Sequence, residues 1–277
     1  MNPTHPSLPT RRDALVAGVA LAGSAWLGGK AFAGRADSPY GPFKAGIQSY
    51  SLRHFKTDEA LEKTKELGLH YWESYSAHVS PDPKTAEASK DKAKAAGVSI
   101  IGFGVTRFTK DHDANRKSFE FAKAIGLSYF SADPDPDSFD SLDKLVEEYK
   151  VAVGIHNHGP GHRYGAIAAI EKAIKDHHQL IGVCNDTGHF LRSKEDPVRA
   201  VEVFGKRTYG VHLKDVKDAT KFTLLGEGDL KTVELLRALA KLDYSYTVAL
   251  EYEENPEAPM DDLKACLKTF QAAVAKI

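Results

Sequence analysis

From residue 34 onward the chain repeats one unit eight times: a short β-rich run, then an amphipathic helical stretch. Residues 43–50, 69–74, 98–105, 127–132, 151–156, 180–185, 208–213 and 246–252 read as strands. Residues 57–67, 84–96, 115–125, 138–149, 166–175, 197–204, 230–241 and 261–274 read as helices. The punctuation agrees with this pattern. Gly97 and Gly126 end the second and third helices, because glycine takes a left-handed backbone without steric cost. Asp196-Pro197 opens the sixth helix, and Thr57 is expected to cap the first. Strands joined through helices run parallel. Eight such units match one (β/α)8 TIM barrel, which takes roughly 250 residues. A doubly wound open sheet would place a glycine-rich phosphate loop after the first strand. Gln48-Ser49-Tyr50-Ser51-Leu52-Arg53 stands there instead, so the barrel is expected.

Residues 1–33 do not belong to the repeat. Arg11-Arg12 precede a weakly apolar stretch rich in Gly and Ala, and Ala31-Phe32-Ala33 offers a small-residue cleavage site. This is the layout of a twin-arginine export signal. Cleavage would leave 34–277 as a periplasmic barrel domain with no stable membrane insertion. The net charge of −1 gives no basic field for nucleic acid or anionic lipid. Cys184 and Cys266 lack the spacing of a zinc or redox pair. What remains is an enzyme or a small-molecule-binding barrel, with homo-oligomerisation left open.

In a TIM barrel the side chains at the C-terminal strand ends face the catalytic mouth. The fifth strand ends in His156-Asn157-His158 and the sixth in Asp186-Thr187-Gly188-His189. The seventh ends in His212-Leu213-Lys214-Asp215 and the eighth in Glu251-Tyr252-Glu253-Glu254. Imidazoles and carboxylates on four adjacent strand ends suit a divalent metal. Manganese is the first choice; zinc, iron and cobalt are also accommodated. In an extended chain His156 and His158 share a face, so either can be the strand-five ligand. His158 is preferred, lying one step further into the mouth.

Together with Gly46-Ile47-Gln48-Ser49-Tyr50-Ser51-Leu52 and Leu225-Gly226-Glu227-Gly228-Asp229, these runs resemble the sugar phosphate isomerase/epimerase family. These are the xylose isomerase-like TIM barrels, and the resemblance covers essentially all of 34–277. It implies a metal held by a glutamate, an aspartate, a histidine and a glutamate from strands five to eight. Asp186, His212 and Glu251 match the last three, while His156 stands where the ketose epimerases place their glutamate. That departure removes one member of the acid–base pair those enzymes use. An exported chain with a His-Asn-His run resembles instead the branch of lyases and hydratases that act on 3-keto-glycosides. There, proton loss at C2 beside the ketone is followed by departure of the glycosidic oxygen. A 3-keto-glycoside lyase is the leading expectation and a sugar isomerase or epimerase the alternative. A periplasmic sugar-binding barrel without turnover is the third reading. The DNA-cleaving members need three metals and a basic face, which this chain does not offer. Without an arginine cluster at the mouth for phosphate, the expected partner is a neutral sugar or keto-glycoside.

Roles follow from these positions. Glu73, at the end of the second strand, is the expected general base. His189 would relay a proton or touch substrate, and Lys214 would stabilise an enolate or leaving oxygen. Glu227, His162 and Trp72 are expected to contact the sugar. Asp133-Pro134-Asp135-Pro136-Asp137 reads as a rigid acidic loop over the mouth, and Cys184 as a core thiol.

Overall fold

The computed structural model describes Met1 and residues 38–277; apart from Met1, the segment expected to be an export signal lies outside the described residues. Eight parallel strands close into a barrel in chain order. They are β1 (Lys44–Gln48), β2 (Tyr71–Ser74), β3 (Ser99–Phe108), β4 (Tyr129–Pro134), β5 (Ala152–His156), β6 (Ile181–Asp186), β7 (Thr208–Leu213) and β10 (Thr247–Leu250). An antiparallel hairpin, β8 (Asp215–Lys217) and β9 (Lys221–Thr223), interrupts the last two. The outer helices are α1 (Thr57–Glu66), α2 (Ala86–Ala95), α3 (His112–Ile125), α4 (Phe139–Tyr149), α5 (Ile167–Ile174), α7 (Pro197–Phe204), α8 (Thr232–Lys241) and α9 (Met260–Val274). A short extra helix, α6 (Thr187–Arg192), starts directly at the end of β6. No helix among the described residues is long and apolar enough to cross a membrane.

Side chains cap the starts of three of the nine described helices, α3, α6 and α7. Asp111 accepts the N–H groups of Asp113 and Ala114 at the start of α3, and Gly126 closes that helix at φ 90°. Asp196 caps α7 ahead of Pro197. Thr57 does not cap α1: Lys56 stands at that position, and the Thr57 hydroxyl donates to the His78 carbonyl.

Alternation sorts each strand between two environments. The outward residues pack against the helices in one continuous apolar core containing Ile47, Trp72, Phe103, Phe130, Val153, Val183 and Val211. The barrel interior holds a smaller cluster of Tyr129, Ala152 and Tyr209. Glycines make room for it. A Cβ on Gly102 would lie 2.5 Å from the Tyr129 ring, and one on Gly210 2.8 Å from it. Tyr129 can therefore lie across the barrel, where its hydroxyl reaches Glu73 at 2.6 Å.

Candidate active site

The two signature runs at strands six and seven can be read residue by residue. Asp186 ends β6 and caps α6: its Oδ1 accepts the His189 N–H at 2.7 Å, leaving Oδ2 turned toward the barrel axis. Thr187 clamps β7, donating to the His212 carbonyl at 3.1 Å and accepting the Lys214 N–H at 2.9 Å. Gly188 leaves space for the Lys214 stem, whose carbons lie 2.8 Å from where a Cβ would be. Asp215 accepts the backbone N–H groups of Val216, Gly226, Gly228 and Leu230 and so holds the loop beyond the hairpin. Asn157, between the two histidines, exchanges hydrogen bonds with the Asp186 backbone at 2.8 Å in both directions, which ties the ends of β5 and β6 together.

Four side chains converge at the strand ends. His156 Nε2 lies 3.1 Å from His212 Nδ1 and 3.3 Å from Asp186 Oδ2. Glu251 Oε2 is 3.1 Å from the same His212 nitrogen. One donor atom from each of His156, Asp186, His212 and Glu251 lies within 4.8 Å of all the others, and all four residues are buried. Asp186 Oδ2 and Glu251 Oε2 make no well-aligned hydrogen bond and are held by ion pairs alone, while His156 Nδ1 has no partner. Two buried carboxylates facing each other need positive charge between them to offset their repulsion. Two imidazoles and two carboxylates arranged this way fit a divalent cation.

His156 takes the strand-five place in this group. β5 ends at His156, and His158 groups instead with Asp133 and His162. The preference for His158 requires an extended chain, and the extension stops too early for that.

Lys214 shares the same carboxylates. Its ammonium is 2.9 Å from Glu251 Oε2, 3.1 Å from Asp186 Oδ2, and also bonded to Glu253. Burial would raise the Asp186 pKa, but Lys214 and neighbouring imidazoles hold it well below the carboxylate range. Glu251 is likewise held down, to about 2: burial opposes, while Lys214 and His212 prevail. Burial would lower the Lys214 pKa, yet the surrounding carboxylates raise it.

Four expected roles need correction, those of Glu73 and Trp72 and, further out, those of His162 and Glu227. Glu73 does not reach the mouth. It is fully buried beneath His212, and its carboxylate accepts from Gln48 Nε2 (2.9 Å), Tyr129 (2.6 Å), Ser131 (2.5 Å) and His212 Nε2 (2.8 Å). Those donors saturate it, so it orients His212 and is not placed to take a substrate proton. Trp72, its neighbour, points outward; its Nε1–H donates to Thr64 on α1 and its ring stacks on His78.

A cavity of about 310 Å³ opens above the cluster. One wall carries His156, His158, His189, Lys214, Glu251 and Glu253; Tyr50, Tyr75, Phe103 and Val105 line the other. Burial lowers the His189 pKa and pushes His158 down to about 3, so both rings are neutral at pH 7. His162 lies behind His158, with ring centroids 4.4 Å apart, and does not line this cavity. Glu227 is exposed on the loop after β9, away from it. Phe222, on the hairpin, packs against His189 and carries the Lys214 ammonium 5.2 Å above its ring. No alternating pattern marks that hairpin in the sequence. Tyr50 stands in plain view there, directly after the first strand.

The fold is a closed parallel TIM barrel whose C-terminal mouth carries a buried two-imidazole, two-carboxylate cluster that could hold a divalent metal. The xylose isomerase-like TIM barrel family model matches residues 61–270, and the chain belongs to that family. It is 30% identical over 139 residues to inosose dehydratase 2 of Bacillus cereus, covering 43% of this chain and 46% of that protein. The match therefore spans just under half the length of this curated relative. An uncharacterised protein from Parabacteroides distasonis superposes with a TM-score of 0.66 at 26% identity, covering 83% of this chain and 98% of that one. The 3-keto-D-glucoside 4-epimerase of E. coli shares the fold, with a TM-score of 0.64 at 16% identity over 83% of this chain and 99% of that one.

Proposed function

We propose that the protein is a divalent-metal-dependent enzyme acting on sugars, and within that class a lyase or hydratase that opens 3-keto-glycosides by β-elimination. The carrying observation is the cavity floor, where His156 and His212 nitrogens 3.1 Å apart meet buried carboxylate oxygens of Asp186 and Glu251, one donor atom of each residue within 4.8 Å of the others. A divalent ion held by His156, Asp186, His212 and Glu251, manganese by preference, would supply Lewis acidity to a substrate carbonyl and acidify the adjacent C–H.

The other parts belong to the chain. His189, a neutral imidazole on the cavity wall, would take the C2 proton on a ring nitrogen. As the C1–O bond breaks, the same imidazolium would return that proton to the departing glycosidic oxygen, so the proton count closes. Lys214 Nζ would offset the negative charge that develops between these events. Tyr50, Tyr75 and Val105 present an apolar wall suited to an aglycone. The relative named a dehydratase supports an elimination. The export signal would place the reaction in the periplasm. A sugar epimerase or isomerase is the second reading, favoured by the epimerase that shares the fold.

The manganese-loaded protein should release nitrophenol from 4-nitrophenyl 3-keto-glucoside, followed by absorbance, and Asp186→Asn should abolish the release. A new epimer with its glycosidic bond intact would reject the lyase reading in favour of the second.

A further inference from the structure

Beside the four-residue cluster lies a second group of ligand-type side chains. Asp133 on β4, with His158 and His162 beyond the end of β5, each bring a donor atom within 4.8 Å of the other two. Their pairing is incomplete. Asp133 Oδ1 is buried and has no hydrogen-bond partner. The nearest guanidinium, Arg163, is drawn to Asp135 at 3.1 Å and leaves its Nε 3.7 Å from Asp133 Oδ1. His162 Nε2 faces Asp133 Oδ2 at 3.4 Å, and the Tyr164 N–H reaches the other ring nitrogen at 3.3 Å, which turns the ring that way. The hydrogen bond that reaches His158 among the described residues goes to its backbone carbonyl, from Ser193, and leaves the ring free.

Two imidazoles and one carboxylate select a first-row divalent ion over calcium or magnesium, and three protein donors leave positions open for water or substrate. We propose that Asp133, His158 and His162 bind a second divalent transition-metal ion, of the zinc type, at the barrel mouth. None of these donors belongs to the first cluster. His156 and His158, whose ring centroids are 4.7 Å apart, serve different ions. Binding at His162 Nε2 displaces its proton to Nδ1, and the long Tyr164 contact gives way. Because His158 also lines the cavity, the second ion is placed to hold a further sugar oxygen. The site stands independently of the reaction assigned to that cavity.

The test is a count of bound zinc by elemental analysis on the full chain, stripped with chelator and then dialysed against zinc. Wild type, Asp133→Asn, His162→Ala, Asp186→Asn and the Asp133→Asn/Asp186→Asn double variant are compared. Asp133→Asn and His162→Ala should each lose one equivalent relative to wild type, and the double variant should lose one more than Asp186→Asn alone. Cobalt(II) titration gives a second readout: a visible absorption band seen in wild type should be missing from Asp133→Asn. If either variant does not fold by circular dichroism, the other decides. Equal zinc content in wild type, Asp133→Asn and His162→Ala would overturn the site, whatever Asp186→Asn does. Loss in the first two without loss in Asp186→Asn would uphold it while rejecting the first cluster as a metal centre.

Discussion

Glu73 accepts the Nε2–H of His212 at 2.8 Å, which turns His212 Nδ1 toward His156, Asp186 and Glu251. A carboxylate behind a ligating imidazole fixes its tautomer and raises its basicity, and losing such a partner typically costs about 10–100-fold in metal affinity. Glu73→Gln should therefore weaken manganese binding by roughly that factor, measured by calorimetric titration. Unchanged affinity with lost turnover would instead return Glu73 to the role of base.

Asp186 has two jobs on two oxygens. Asn caps a helix about as well as Asp, whereas Ala loses roughly 1 kcal/mol at such a position. Asp186→Asn should lose the metal yet keep α6, and Asp186→Ala should be less stable than Asp186→Asn by about that amount in urea denaturation. Equal stabilities would mean that the contact with the His189 N–H does not hold the helix.

Lys214 is ion-paired with Asp186, Glu251 and Glu253. Removing one partner from a buried ion cluster costs about 3–5 kcal/mol. Lys214→Met should lower the melting temperature of the stripped protein markedly. Manganese should raise it more in the variant than in wild type, since the ion then meets uncompensated carboxylates. A variant as stable as wild type without metal would contradict this.

Acid should destabilise the metal-free protein in two overlapping ranges. His158 is pushed down to about 3 by burial and by neighbouring His156 and His162, from an ordinary value of 6.5. Below pH 6.5 the unfolded chain takes up a proton that the folded chain refuses, so stability falls from there toward pH 3. Glu251, depressed from 4.5 to about 2, contributes stability above pH 4.5 that is lost between 4.5 and 2. Melting temperatures should fall steadily below about pH 6.5, and His158→Gln should flatten the upper part of that slope. A flat profile between about pH 6.5 and 5 would show that His158 is protonated in the folded protein.

The barrel was legible because helix, glycine and strand recur in register, with Gly97 and Gly126 at the predicted turns. The cluster was legible because Asp186, His212 and Glu251 fall at consecutive strand ends. Depth was not. Glu73 pairs in register with Gln48 and Gly102, one layer below the mouth, and nothing in Trp72-Glu73 distinguishes a floor carboxylate from a rim carboxylate. Nor does sequence show where extension ends, which places His156 rather than His158 in the four-residue cluster. The six-residue α6 is too short to display a helical period, and the hairpin at 215–223 is polar along most of its length.

If the site works as proposed, it removes the proton beside a sugar ketone. The most direct measurement incubates the manganese-loaded protein with methyl 3-keto-glucoside in D2O and follows C2 by NMR. The expected result is loss of the C2–H signal together with methanol release, both abolished in His189→Ala with its metal retained. A C2–H signal that persists while manganese stays bound and the sugar is shown to bind would contradict it.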